Sequence, residues 1–284
     1  MGVLIVAFAF RETFKDLFHP TRTGTLSDFV GRTLFRLFRT GTPALSLAGP
    51  LSLVVVILCW AFLQALGFAL IYWAGFPAQF QFANTENVGW HGFWLMLYFS
   101  LQAMTTVGLG DVTPKTDWMR MLVAFQALAG LALVTASVSW IVLLYPALAR
   151  MRTLARHVST LARAEQKTSV AVVSGDAQFL LDDLASDVIR TRVDLIHFPI
   201  IYYFYSGHAR SSLPESLPHL VRFALLGSNA EKPERVRLAS ASLREALNDL
   251  AEVLAQRLRR ADANDPEAVF RAYAEHHLAP TDRG

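Results

Sequence analysis

Thr105-Thr106-Val107-Gly108-Leu109-Gly110-Asp111 lies between two long apolar stretches, and an aromatic-rich run from Gly92 to Met104 leads into it. Glycine at the alternate positions 108 and 110 lets the backbone take left-handed conformations that side chains resist. A backbone alternating in this way directs successive carbonyl oxygens to one side. Stacked in a ring, with the Thr106 hydroxyl beneath them, such oxygens replace the water shell of a dehydrated monovalent cation.

The flanking sequence reads as membrane structure. Thr40 to Thr85 contains no charged residue. Within it Pro50 suits a first helical turn, and 50–74 is long enough for an outer helix across a hydrocarbon core of about 30 Å. Tyr72 and Trp73 then stand at the outer interface. A polar, turn-rich turret runs from Gly75 to Gly89, with Glu86 its one charge. The helix expected over 90–104 reaches only about 21 Å, so it enters the membrane and stops, as a re-entrant pore helix does. Its C-terminal dipole favours a cation below the loop, and non-helical backbone at that depth must line a water-filled path or be buried in protein. A second, inner helix is expected over 118–148. It is interrupted by Gly130 and carries small residues (Ala127, Ala129, Ala132, Ala136, Ser137, Ser139) that allow close helix approach or a wide cavity.

Charge orients these spans. Six Lys or Arg residues precede the first, and Arg150, Arg152, Arg156, Arg163 and Lys167 follow the second, while 74–118 holds only Lys115. The positive-inside rule therefore predicts a multi-pass protein of the inner membrane with both termini cytoplasmic and the 105–111 loop at the outer side.

With this motif in this order of elements, the chain resembles a bacterial two-transmembrane potassium channel subunit over roughly Leu51 to Tyr145. The family's filter usually reads Thr-Val-Gly-Tyr-Gly-Asp; Leu109 stands here for the Tyr, a replacement also seen in two-pore-domain potassium channels. The resemblance implies potassium bound at Thr106, Val107, Gly108 and Leu109, with Gly110 at the outer mouth. It implies three further copies of the chain, since each contributes one loop to a fourfold pore. It also implies that Thr105 and Asp111 support the filter, Asp111 bracing it from positions matched here by Gln102 and Phe99. Gln102 can hydrogen-bond to a carboxylate and Phe99 cannot. Together with Leu109, that predicts a filter that favours potassium on a softer frame. Gly130, twenty positions after Gly110, falls at the family's gating hinge; tight packing is the competing account of it.

The flanking regions are read more coarsely. Residues 1–49 form a cytoplasmic or interfacial segment: Val3 to Phe10, too short to span, is an interfacial piece in preference to the remnant of a longer span, and after His19-Pro20 an amphipathic helix sets Phe29, Val30, Leu34, Leu37 and Phe38 opposite Arg32, Arg36 and Arg39. It serves as a passive anchor or as a coupling element. The pore domain occupies 50–149, and a helical cytoplasmic domain 150–284. Helices are expected over 150–166, 178–192 and 236–260, with a last one from Asp265-Pro266-Glu267. Leu195 to Tyr205 is a core or membrane-surface element too short for a third span. Val170 to Gly175 is the one strand-like run. Leu243, Leu247, Leu250 and Leu254 form a stripe better suited to packing within the domain than to a coiled coil.

A hydrophobic content of 53% with only 17% charge suits a mixed membrane and cytoplasmic chain of the all-α class. The sequence pI near 9.2 arises from basic residues flanking the spans, and no nucleic-acid motif accompanies it. Cys59 alone excludes an intrachain disulfide framework. The histidines His91, His197, His208, His219, His276 and His277 form no ligand pattern, no nucleophile sits with a base, and no Gly-x-Gly-x-x-Gly is present. An enzyme or a resident cofactor is therefore not expected; potassium is the permeant ligand. Three readings result: a potassium channel, a weakly selective cation channel, or a membrane sensor whose helical domain does the work. The gating stimulus and any cytoplasmic regulator carry no sequence signature.

Overall fold

A computed structural model describes residues 1–18, 25–38, 42–83, 92–204, 209–258 and 265–277. The His19-Pro20 break, Arg39, the far part of the turret with Glu86, and His91 and His208 lie outside them. The chain is helical: α1 (Gly2–Phe18), α2 (Thr25–Phe38), α3 (Thr42–Ala74), α4 (Phe93–Met104), α5 (Asp117–Thr168), α6 (Gln178–His197), α7 (Leu213–Gly227), α8 (Glu234–Ala255) and α9 (Pro266–His277). Two short strands, β1 (Phe80–Phe82) and β2 (Val112–Pro114), pair antiparallel with Gln81 opposite Thr113. That pairing was not expected in an all-helical reading, because three-residue strands carry no periodicity to detect.

Among the described residues, two helices are long and apolar enough to cross a membrane: the 49–74 part of α3, and α5. Helix α4 has 12 residues and is too short, since that many span about 18 Å. The helix ends differ from expectation in instructive ways. Helix α3 starts at Thr42 and carries Pro50 inside it. Beside the proline, Ser52 Oγ donates to the Gly49 carbonyl at 2.7 Å, a local bond in the turn that proline weakens. Helix α1 runs on through Arg11, Glu12, Lys15 and Asp16, where the sequence suggested only a short apolar piece. Helix α5 continues unbroken for 52 residues, joining the expected inner helix to the basic segment after it. Val170 to Gly175 forms turns and no strand.

The chain divides into two compact units, each discontinuous in sequence. The first comprises 1–30 and 53–142. Its core joins Phe68 and Tyr72 of α3, Phe80 of β1, Met96 and Phe99 of α4, and Met119 of α5. Phe99 meets the rings of Tyr72 and Phe80 edge-on at 5.3 and 5.4 Å, the geometry that aromatic quadrupoles favour. A buried polar chain ties three helices. Ser100 Oγ donates to the Ala65 carbonyl at 2.7 Å, Gln126 Nε2 donates to Ser100 Oγ at 2.7 Å, and Tyr72 Oη donates to Gln126 Oε1 at 2.7 Å. Each donor so satisfied in an apolar surrounding avoids a desolvation cost of about 1–3 kcal/mol.

The second unit comprises 31–52 and 143–284. The Leu243, Leu247, Leu250 and Leu254 stripe of α8 is at most 3% exposed there, so its side chains pack within the chain. Ile200, Ile201, Tyr202 and Tyr203, in a 3-10 turn, form a buried centre, the first of the two alternatives, core or membrane surface, that the length of Leu195 to Tyr205 left open. Gly31 and Gly49 fit against it because they lack side chains. A Cβ on Gly31 would stand 2.5 Å from the Tyr203 ring, and one on Gly49 would stand 2.5 Å from the Phe204 ring. Arg150 grips Asp194 with two bonds of 2.9 and 2.7 Å, the fork geometry of a bidentate pair.

Candidate functional site

The 105–111 loop leaves the end of α4 and enters β2. Glycines 108 and 110 have φ of 54° and 78°, and Thr106 joins them at 58°, so left-handed residues alternate along the stretch. For Thr106 this is a rare conformation that the surroundings must hold. The loop amides turn back toward α4. Thr106 N donates to Ala103 O at 3.2 Å, Val107 N to Gln102 O at 3.1 Å, and Leu109 N to Gln102 Oε1 at 3.1 Å. Thr105 Oγ1 donates to the Leu101 carbonyl at 2.8 Å, capping the last turn of α4.

Asp111 closes the loop from behind. Gln102 Nε2 donates to its Oδ1 at 3.2 Å, as expected, and Gln102 thereby clamps both Asp111 and the Leu109 amide. A second partner was missed from the sequence: Tyr98 Oη donates to Asp111 Oδ2 at 2.9 Å. Tyr98 and Gln102 are four residues apart on one face of α4, while Phe99 points about 100° away around the helix and into the aromatic core. The frame therefore has the phenolic hydroxyl that the sequence reading found absent, supplied one position earlier. The outgoing chain is then stapled to the turret, with Ala83 N donating to Asp111 O and Lys115 N to Gln79 O, both at 2.8 Å.

Residues 105–110 are exposed in the single chain, including the apolar side chains of Val107 (60%) and Leu109 (64%). Beside the loop, Gly130 of α5 lies against the C-terminal end of α4. A Cβ there would be 2.2 Å from the Met104 carbonyl oxygen, so this close approach by itself calls for glycine. One turn further along α5, Thr135 Oγ1 and Ser139 Oγ bond to the Leu131 and Thr135 carbonyls on an exposed face.

In the second unit, His157 of α5 and Asp183 and Asp187 of α6 bring ligand atoms within 4.8 Å of one another. Asp187 is already paired with Arg190 at 3.2 Å. Of the histidines singled out in the sequence, the described ones, His197, His219, His276 and His277, do not join this group. His276 and His277 instead flank Tyr202, His277 Nε2 standing 2.6 Å from the Tyr202 carbonyl oxygen.

Residues 52–144 match a protein family described as ion channel. The matched stretch holds most of α3, α4, the loop and the first half of α5, and is similar to pore-forming ion channels of a non-catalytic transport type. Over 174 residues, covering 60% of this chain and 50% of the relative, the sequence is 27% identical to an uncharacterized membrane protein, YdjJ, of Bacillus subtilis (strain 168). The chain thus spans about half the length of that curated relative. No solved structure matches.

Proposed function

We propose that the chain is one subunit of a homotetrameric potassium channel of the inner membrane, passively conducting ions along an axis lined by Thr106 to Gly110. The observation that carries this reading is the alternating left-handed backbone at Thr106, Gly108 and Gly110, with the loop amides engaged behind it. Carbonyls opposed to those amides face the axis. Four copies complete a ring of oxygens and cover Val107 and Leu109, which a lone chain exposes. Bound potassium sits at Thr106, Val107, Gly108 and Leu109, and no other cofactor is required. The Gln102 bonds to Asp111 and the Leu109 amide hold the ring at a fixed size, favouring potassium over sodium, and the Tyr98 bond to Asp111 steadies it during conduction. The positive-inside bias assigns residues 150–284 to the cytoplasm as a regulatory or assembly domain. Gly130 serves as the bending point of α5.

Purified full-length protein in liposomes tests this. Potassium efflux driven by a gradient, with a bi-ionic reversal potential favouring potassium over sodium, is the expected result. Gly110→Ala should abolish it, because a φ of 78° is costly for a residue with a Cβ. Flux without a reversal-potential shift would make the pore weakly selective. No flux from correctly folded tetramers would leave the sensor reading.

A further inference from the structure

Helix α1 is built inside out for a water-soluble surface. Its exposed face carries Val3 (66%), Leu4 (74%) and Phe8 (41%), whereas Ala9, Glu12 and Thr13 are buried. A helix on a protein surface in water turns its polar residues outward and its apolar ones in. The reversed arrangement is the one a helix takes when its surroundings are hydrocarbon.

Where α1 docks is equally informative. A Cβ on Gly2 would stand 2.6 Å from the Gly67 carbonyl oxygen and 3.0 Å from the Ile71 amide nitrogen. Reciprocally, a Cβ on Gly67 would stand 3.0 Å from the Val6 amide nitrogen. The two backbones touch through paired glycines, the small-residue packing by which helices associate in lipid, where the hydrophobic effect gives no help. Gly67 and Ile71 lie within the 49–74 membrane-crossing part of α3. A helix seated on them shares their depth. Val54, Leu58 and Phe62 of α3 are also exposed and apolar, as the lipid-facing side of a membrane-crossing helix is.

The charged second half of α1 is compatible with this position. Lys15 Nζ donates to Glu12 Oε1 at 3.3 Å, which offsets the buried carboxylate, and Arg11 is exposed on a stem long enough to reach a headgroup layer. The helix has 17 residues, and its apolar part up to Phe10 is about 13 Å long, so it enters the hydrocarbon core without crossing it and its charged half reaches toward a headgroup layer.

We infer that α1 is a further membrane-embedded helix, seated by the Gly2–Gly67 contact on the spanning part of α3, with Val3, Leu4 and Phe8 facing lipid acyl chains. It replaces the expectation of a segment lying at the interface, and it does not depend on what the 105–111 loop conducts.

Nitroxide probes at Leu4→Cys and Phe8→Cys, in a Cys59→Ala background, test the inference on the full chain in vesicles of phosphatidylethanolamine and phosphatidylglycerol. The expected result is several-fold greater collision with oxygen, which concentrates in the acyl region, than with a water-soluble nickel chelate. Greater collision with the chelate would overturn the inference in favour of an aqueous or interfacial helix. Exclusion of both reagents would overturn it in favour of a second copy covering this face. Adding Gly67→Leu, whose side chain occupies the contact, should increase probe mobility at Leu4; unchanged mobility would refute the glycine seat. Because no ion flux is read, failure here leaves the conduction proposal standing, and failure of that proposal leaves this one.

Discussion

At the scale of single residues, Gln102 and Tyr98 divide the support of the loop unequally. Gln102 holds both Asp111 and the Leu109 amide, whereas the Tyr98 hydroxyl bonds to Asp111 and not to the loop backbone. Gln102→Leu should therefore lower potassium over sodium selectivity, seen as a reversal potential shifted toward sodium. Tyr98→Phe removes one bond to a charged group, worth about 1.5–3 kcal/mol, and leaves Gln102 in place. Its expected effect is potassium current that decays faster during sustained conduction, with the reversal potential little moved; planar-bilayer recordings separate the two. Phe99→Tyr should not strengthen the frame, since position 99 faces Tyr72 and Phe80.

At the scale of elements, the meeting of α4 and α5 is set by absence of a side chain. Gly130→Ala puts a methyl 2.2 Å from a carbonyl oxygen, so the helices must part. Overpacking of this kind costs about 1–3 kcal/mol, and a lower melting temperature in detergent is expected. If Gly130 served only as a hinge on an open face, alanine would leave that temperature unchanged. In the second unit, α8 is held by its leucine stripe. Leu247, 3% exposed, should lose about 2–5 kcal/mol of stability on change to Ala, read by denaturant unfolding. Oligomeric state should stay the same, because that side chain packs inside one chain.

For the whole molecule, acid sensitivity follows from one contact of the second unit. The Arg222 guanidinium hydrogen-bonds to Glu165 and holds its carboxyl below the ordinary value of 4.5. A group whose folded value is depressed contributes stability above its unfolded value and loses it as pH falls through the folded one. Stability should therefore decline as pH drops below about 4.5, and Arg222→Met should flatten that decline; thermal melts from pH 3 to 7 would show it. Both side chains are partly exposed, so the effect should also weaken in high salt.

The amino-acid sequence by itself determined what depends on local composition and spacing. An uncharged run of the right length marks α3, a second one lies in α5, a short aromatic helix precedes the loop, and glycines at 108 and 110 carry the left-handed turns. The leucines of α8 recur at helical spacing and are buried, since periodicity states which face must leave water. Tertiary structure alone decided the rest. That Tyr98 and not Phe99 braces Asp111 depends on how α4 is rotated against Tyr72 and Phe80, since neighbouring positions on a helix point about 100° apart. That Gly2 meets Gly67, Gly130 meets Met104, and β1 pairs with β2 depends on segments distant along the chain, and only packing brings them together. Local pattern sets what each segment can become, and close contact between segments selects which of its side chains act.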